Sequence, residues 1–553
     1  MEKRVIFAFI LSLAVLYGFR WLFTPPAPAP EAAATVQPVE PPPATPPTTP
    51  EATSTKPANV AEPSSTSSSS PAPATNLRAE KAEEFVVETP LYTASISNVG
   101  GTLRSYKLKA YSDAEGKPIE LIDSTAGSKL GWPLALVTGD AALDDVLAKA
   151  NYVARRDGDM LSMEFAENGV HARKLVEFSR DKYEFSFDAT VTRDGKAVSH
   201  SIAWQGGFGD QSIPADPAKR NAAYQVDASF KTINLRSIKD PQEVTAPRAG
   251  VEDQYFLGMF LMPDAVPVKV HKQEFPGSDG KPSTHLYLSA AIPDGKAIRV
   301  YVGPKDRQWL SRTDPQLVAV INYGWFEIIA RPLEIALLTI HSYIGNFGWS
   351  IVLLTLAINL VLFPLRLKQQ VSMQKMQKIQ PQMRTLQDKY KKLKANDPKR
   401  PQVQAEMMDL YKQHGVNPLG GCLPLLLQMP VFFGLLSMLS VSIELRRAPW
   451  ILWIKDLSQH DPYYVLPILF AISMIVMQKM TPTSVDPAQA KMMMIMPVMF
   501  AFLFLWAQSG LALYWLTGNV VGIGQQFFIN KYWSPQADAE LRARSKQKEA
   551  RDK

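Results

Sequence analysis

Five runs of mostly apolar residues, at about 348–365, 423–443, 463–480, 492–507 and 510–529, occupy the last third of this chain. Hydrocarbon offers the backbone no hydrogen-bond partner, so runs of this length must close their hydrogen bonds internally, as helices do. The remainder of the chain is polar, and a mean hydropathy near zero hides that split. Two physical regimes share one polypeptide.

Two of the runs carry polar residues where a plain lipid anchor would carry leucine. The second grows out of Asn417-Pro-Leu-Gly-Gly-Cys-Leu-Pro-Leu-Leu-Leu-Gln-Met-Pro-Val-Phe-Phe and bears the lone amide Gln428. A buried amide costs free energy unless something hydrogen-bonds it, so polar groups at membrane depth mark a cavity or pathway. Thr355 and Asn359 stand four apart on one helical face, as do Gln428 and Phe432. Spacing alone leaves two accounts open, a hydrated groove or interhelical hydrogen bonds worth roughly 0.6 to 2 kcal/mol each.

At the other end, Met1-Glu-Lys-Arg precedes an apolar stretch that closes on the bulky Phe19-Arg-Trp-Leu-Phe. Residues 1–23 read as an uncleaved signal anchor. Residues 24–79 collapse to Pro, Ala, Thr and Ser and form an extended tether. Between 80 and 320, short alternating runs such as Tyr92-Thr-Ala-Ser-Ile-Ser and Tyr183-Glu-Phe-Ser-Phe-Asp-Ala-Thr-Val are punctuated by Gly, Asp and Pro. That pattern predicts a large antiparallel β-sandwich. Residues 321–345, with Trp325-Phe-Glu-Ile-Ile-Ala-Arg-Pro, predict an amphipathic helix along the outer interface. A five-helix core at 346–531 and a basic tail at 532–553 complete the order.

Charge sets the orientation. Residues 366–412 hold twelve Lys or Arg against four Asp or Glu, while 444–462 hold three Lys or Arg. The former loop is therefore cytoplasmic, which puts both termini inside and the β-sandwich outside, in the periplasm of a double-membrane bacterium. That loop also carries Met373, Met376, Ile379, Met383, Leu386, Tyr390 and Leu393 at spacings of three and four, then a break at Asn396-Asp-Pro. Val403, Met407, Leu410 and His414 restart the stripe, so 368–415 reads as a helical hairpin. Either the two stripes bury each other, or Met373, Met376, Met383 and Met407 make adaptable contacts with partners. Its basic face is a solvated surface or a site for anionic lipid heads or ribosomal RNA.

Several classes fall away. The chain has no Gly-rich phosphate loop, its seven histidines are scattered, and Cys422 has no ligand or disulfide partner. The reading is of a non-enzyme without metal or cofactor. A polar-solute transporter is the alternative, although no internal repeat supports it. A carbohydrate-active β-domain is weaker still, since His171, His200, His271 and His285 form no acid-base arrangement.

The segments Phe363-Pro-Leu, Glu406-Met-Met-Asp-Leu-Tyr-Lys, Asn417-Pro-Leu-Gly-Gly-Cys, Gln428-Met-Pro, Asp461-Pro-Tyr-Tyr-Val-Leu-Pro, Gln478-Lys-Met, Met496-Pro-Val and Ser509-Gly-Leu-Ala-Leu-Tyr-Trp resemble the YidC, Oxa and Alb family of membrane protein insertases. The likeness spans about 325–532, and the order of anchor, outer β-domain and five-span core is similar to the Gram-negative members. The resemblance implies a multi-pass protein of the bacterial inner membrane that inserts and helps fold nascent membrane proteins. It implies work alone or beside the Sec translocon, ribosome contact through the basic tail and cytoplasmic loop, and an outer domain like a β-supersandwich. Family groove positions fall on Thr355, Asn359, Gln428, Phe432 and Trp515, with Gln428 facing Thr355 and Asn359.

One departure stands out. The family usually places an arginine five residues before the proline of its Phe-Pro or Tyr-Pro, and here that position is Asn359. Arg366 lies seven residues further on, roughly 10 Å along a helix, which predicts a place near the cytoplasmic surface. An amide holds water and hydrogen bonds but does not attract an acidic segment by charge.

Overall fold

The structure, a computed structural model, describes residues 76–113, 115–213, 216–277, 282–292, 296–392, 399–413, 423–480 and 487–533. The expected anchor at 1–23, most of the tether at 24–79, the 417–422 turn and nearly all of the basic tail lie outside the described residues.

Strands β1 (Glu84–Glu88), β2 (Tyr92–Ser97), β3 (Thr102–Ser112) and β4 (Pro118–Glu120) form a four-stranded sheet in sequence order. A second sheet has thirteen strands. They are β5 (Ala135–Val137), β6 (Val153–Asp157), β7 (Met160–Glu167), β8 (Val170–Phe178), β9 (Glu184–Arg193), β10 (Lys196–Ala197), β11 (Ser201–Trp204), β12 (Asn221–Val226), β13 (Ser229–Asn234), β14 (Gln242–Glu252), β15 (Phe256–Pro276), β16 (Pro282–Ala291) and β17 (Ile298–Pro304). Its main path runs β13-β12-β14-β15-β17-β9-β8-β7-β6, and β16 links β15 to β11 and β5.

The 21-residue β15 is the pivot of this sheet. Its first part pairs with β17 and its second with β16, while β14 follows both and shifts register between Ala246 and Arg248. An irregularity of this kind bends a strand and lets one sheet wrap over itself. Trp204 on β11 consequently meets Phe260 on β15 at 6.0 Å and Phe208 edge-on at 5.2 Å. Two short helices that alternation does not foresee, α1 (Ser124–Leu130) and α2 (Ala141–Lys149), start where Asp123 and Asp140 accept backbone N–H bonds.

Alternation in β8 buries Val170, Ala172, Lys174, Val176 and Phe178 on one face. The lysine in that series is 1% exposed and donates to the carbonyls of Gly100, Gly101 and Leu134 at 2.7, 3.0 and 2.7 Å. Burial pulls its pKa down to about 7. It acts as a strut that satisfies three backbone acceptors of the interior.

Helix α3 (Arg307–Thr313) leads from the sheets to the helical region. There α4 (Glu327–Ile344) ends at Gly345 in the left-handed region, φ 71°. It is followed by α5 (Phe347–Lys392), α6 (Arg400–Gln413), α7 (Leu423–Val441), α8 (Val465–Met480), α9 (Pro487–Phe504) and α10 (Ser509–Phe528). The expected amphipathic element begins as a helix at Glu327, because Gly324–Phe326 is a tighter 3-10 turn. The first apolar run and the first hairpin arm are one continuous 46-residue helix through Pro364 and Pro381.

Among the described residues, Phe347–Lys368 is long and apolar enough to cross a membrane, and Gln428–Val441, Val465–Met480 and Ile495–Phe504 are apolar but shorter. Leu360, Val361, Ile468, Ile495, Val498 and Phe502 are 55% to 78% exposed. Apolar surface at that density marks a face built for something other than water.

Candidate functional site

The site begins as a polar stripe on α5. Thr355 and Asn359 are 0% and 4% exposed. Thr355 Oγ1 donates to the Ile351 carbonyl at 2.6 Å, and Asn359 Nδ2 donates to the Thr355 carbonyl at 2.7 Å. These local bonds fold both side chains back on their own helix, as short polar residues do inside helices. They face α10, whose Gly518 leaves room beside the Thr355 methyl group.

Seven residues is close to two helical turns, so Arg366 returns to the face of Asn359. Arg366 Nη1 donates to Gln525 Oε1 at 3.0 Å, and Gln525 Nε2 reaches the Asn359 carbonyl at 3.4 Å. The long Arg366 side chain is half-buried and turned against α10. Gly522 on α10 lies directly beside this guanidinium and Met477.

Gln428 has its partner on α10 as well. Its Nε2 donates to the Tyr514 hydroxyl, where Thr355 and Asn359 were expected. Next to it, Phe432 meets Trp515 edge-on at 5.4 Å, and Trp515 also touches Phe470 and Phe504 at 5.6 and 5.8 Å. Helix α10 thus collects all five sequence-derived positions, with Thr355 and Asn359 from α5 and Gln428 and Phe432 from α7. Two polar atoms in this set, Asn359 Oδ1 and Trp515 Nε1, are buried with no hydrogen-bond partner among the described residues.

Sequence reasoning missed Tyr514 and Gln525. The signal was present, since Tyr514, Gly518 and Gln525 stand four and then seven apart and share a helical face. Another polar contact, Asn519 Nδ2 to Ser473 Oγ at 2.9 Å, ties α10 to α8.

In the hairpin, Ile379, Met383 and Val403 are buried, while Met376 and Met407 are half-buried. Helices α5 and α6 are in contact, so part of the stripe is consumed inside the hairpin. The Met373 side chain, Leu393, the 396–398 break and His414 lie outside the described residues. Among the described residues no three His, Cys, Asp or Glu side chains converge to hold a metal.

Comparison with known proteins also divides the chain in two, with the boundary inside α4. Residues 84–336 match the family model described as the YidC periplasmic domain, and residues 339–536 match that of the 60Kd inner membrane protein. The membrane protein insertase YidC of Citrifermentans bemidjiense is 37% identical over 96% of this chain and 99% of its own. That of Geobacter metallireducens is 35% identical over 96% and 98%. A crystal structure of active YidC insertase with its first transmembrane domain resolved matches at 21% identity and a TM-score of 0.36, covering 83% of this chain and 94% of that one. On the strength of a likeness that runs nearly end to end in sequence, with a periplasmic β-rich domain followed by a helical region, this chain belongs to the YidC family of membrane protein insertases.

Proposed function

We propose that this chain inserts nascent inner-membrane proteins through a polar groove whose surface is made by Thr355, Asn359, Gln428, Phe432 and Trp515, completed by Tyr514, Gln525 and Arg366. The observation that carries the reading is Asn359 Oδ1, a buried acceptor with no partner among the described residues, in a region whose outer surface is apolar. An orphan acceptor at membrane depth is satisfied by water or by a polar group of a passing segment. Moving one charge to the centre of a span costs about 2.5 to 3.5 kcal/mol on insertion scales, and a few hydrogen bonds worth about 1 kcal/mol each offset a useful share of that.

Arg366 supplies the positive charge that position 359 lacks. Its bond to Gln525 holds it beside the Asn359 backbone, so an acidic client segment meets it at the cytoplasmic end of the stripe. Apolar client segments then leave sideways along the Phe432 and Trp515 rings into lipid.

In this reading α5, α7, α8, α9 and α10 are the five core spans, the 1–23 segment is a sixth, and both termini are cytoplasmic. Helix α4 lies along the outer interface, where Ile328 and Tyr343, 85% and 87% exposed, face lipid. The hairpin and basic tail meet the ribosome, and the Sec translocon is a partner for some clients; the basic balance of 366–412 supports the former.

The test is the double variant Asn359→Leu with Gln428→Leu. Insertion of a dependent client drops several-fold while the protein accumulates normally. Unchanged insertion in that variant removes the groove from the mechanism.

A further inference from the structure

Helix α7 carries one side of the groove and ends at Val441, and its outer end is held by the periplasmic domain. The last carbonyls of a helix have no partner within it. Here the carbonyl of Ser440 is taken by Gln254 Nε2 at 2.7 Å, from the turn that leads into β15. Lys219 Nζ donates to Gln254 Oε1 at 2.7 Å and fixes the direction of that amide. A residue of the β-domain thus caps a helix of the membrane region.

A few residues later the contact becomes ionic. Arg446 forms a salt bridge with Asp210, and the two side chains are 7% and 1% exposed. Arg446 Nη1 also reaches the Ser112 carbonyl at 3.3 Å, and its guanidinium stands 5.9 Å from the Phe256 ring centre. Asp210 is held from behind, accepting from Ser212 N at 2.9 Å and Ser212 Oγ at 2.6 Å, while its own N–H donates to Asp253 Oδ2 at 2.8 Å. Asp253 in turn orders the turn through bonds to Tyr255 N and Phe256 N at 2.8 and 2.7 Å. The pair is therefore buried and tied through Asp253 to the same turn that supplies Gln254.

We infer that the buried Arg446 to Asp210 pair seats the periplasmic domain on the outer end of α7, which makes Arg446 a positioning residue for the groove wall bearing Gln428 and Phe432. A buried ion pair gains little net energy over apolar residues of the same shape, but losing one partner strands a buried charge. The seat is thus specific. Separating the two regions or removing either partner leaves an uncompensated group, so the equilibrium between seated and unseated arrangements shifts at least roughly tenfold on single substitution. The positioning role rests on the groove reading, while the seat itself does not.

The experiment uses the full chain in lipid nanodiscs, with Cys422→Ser and nitroxide labels at the exposed Ser229 and Lys455. Pulsed electron resonance gives a narrow distance distribution in the parent. Asp210→Ala broadens it, and Arg446→Met, which leaves the β-domain intact, broadens it too. The paired change Asp210→Leu with Arg446→Met narrows it again, because no buried charge remains. A distribution as narrow in both single variants as in the parent overturns the seat. Photocrosslinking from position 428 to a stalled client is read in parallel and falls at least twofold in the single variants, with recovery in the pair. Broadening with unchanged crosslinking overturns the positioning role alone. Absence of crosslinks already in the parent overturns the groove reading and leaves the distance result to decide the seat.

Discussion

The β-domain and the helical region turn opposite kinds of surface outward. In the β-domain the fully buried large side chains are Trp204, Tyr92, Tyr106, Phe165 and their aromatic neighbours, and Tyr92 stacks on Tyr106 at 4.6 Å. Most of its charges face water, with Lys174 and Asp210 among the buried exceptions. In the helical region Ser350, Thr355, Asn359, Ser473 and Gln526 are buried, while Leu360, Val361 and Phe502 are exposed. Each region turns outward what its solvent tolerates, and the helical region keeps a set of hydrogen-bonding groups inside.

The largest effect that tests this contrast comes from the outward faces. Leu360→Asp puts a charge on the apolar face near the middle of a 22-residue apolar helical segment, at a cost of about 2.5 to 3.5 kcal/mol. The equally conspicuous Val86 of β1, 52% exposed, accepts the same change within about 0.5 kcal/mol. Membrane extraction and steady-state levels report both. Equal tolerance at the two positions breaks the comparison.

The boundary between the two regimes gives a smaller, pH-dependent effect. Burial, with Asp306 and Glu334 nearby, pushes the Glu444 carboxyl up to about 7, against the Ser442 hydroxyl that donates to it at 2.6 Å. A carboxyl raised above its unfolded value of 4.5 binds its proton more tightly in the folded chain. Its contribution is full below about pH 4.5 and is lost as pH rises through about 7, at most about 3 kcal/mol in all. Glu444→Gln stays neutral, so thermal scans from pH 4.5 to 7 show a flatter slope in the variant than in the parent. Identical slopes contradict a buried protonated carboxyl at the junction.

Much of this arrangement was legible in the residues. Period-two alternation located β2 and β9, and apolar runs located helices of the helical region, because both signals depend on which face meets solvent. The wrapping of the large sheet was not legible, since it follows from a register shift in β14 and the length of β15. The Thr355 and Asn359 stripe was readable from spacing. The partner of Gln428 was not, because an amide accepts any hydroxyl that packing brings within reach, and only the tertiary arrangement selects Tyr514. The bond from Arg366 to Gln525 was not legible either, because a two-turn separation restores the face of Asn359 but only packing selects the residue of α10 that the long side chain reaches.

The central claim is that the interior polar face of the helical region, and not its apolar exterior, receives the client. Photocrosslinkers at position 359, inside, and position 361, outside on the same helix, compare the two faces directly against a ribosome-stalled membrane protein whose polar segment is still cytoplasmic. The account predicts strong client adducts from 359 and mainly lipid adducts from 361. Client adducts from 361 with none from 359 would contradict it.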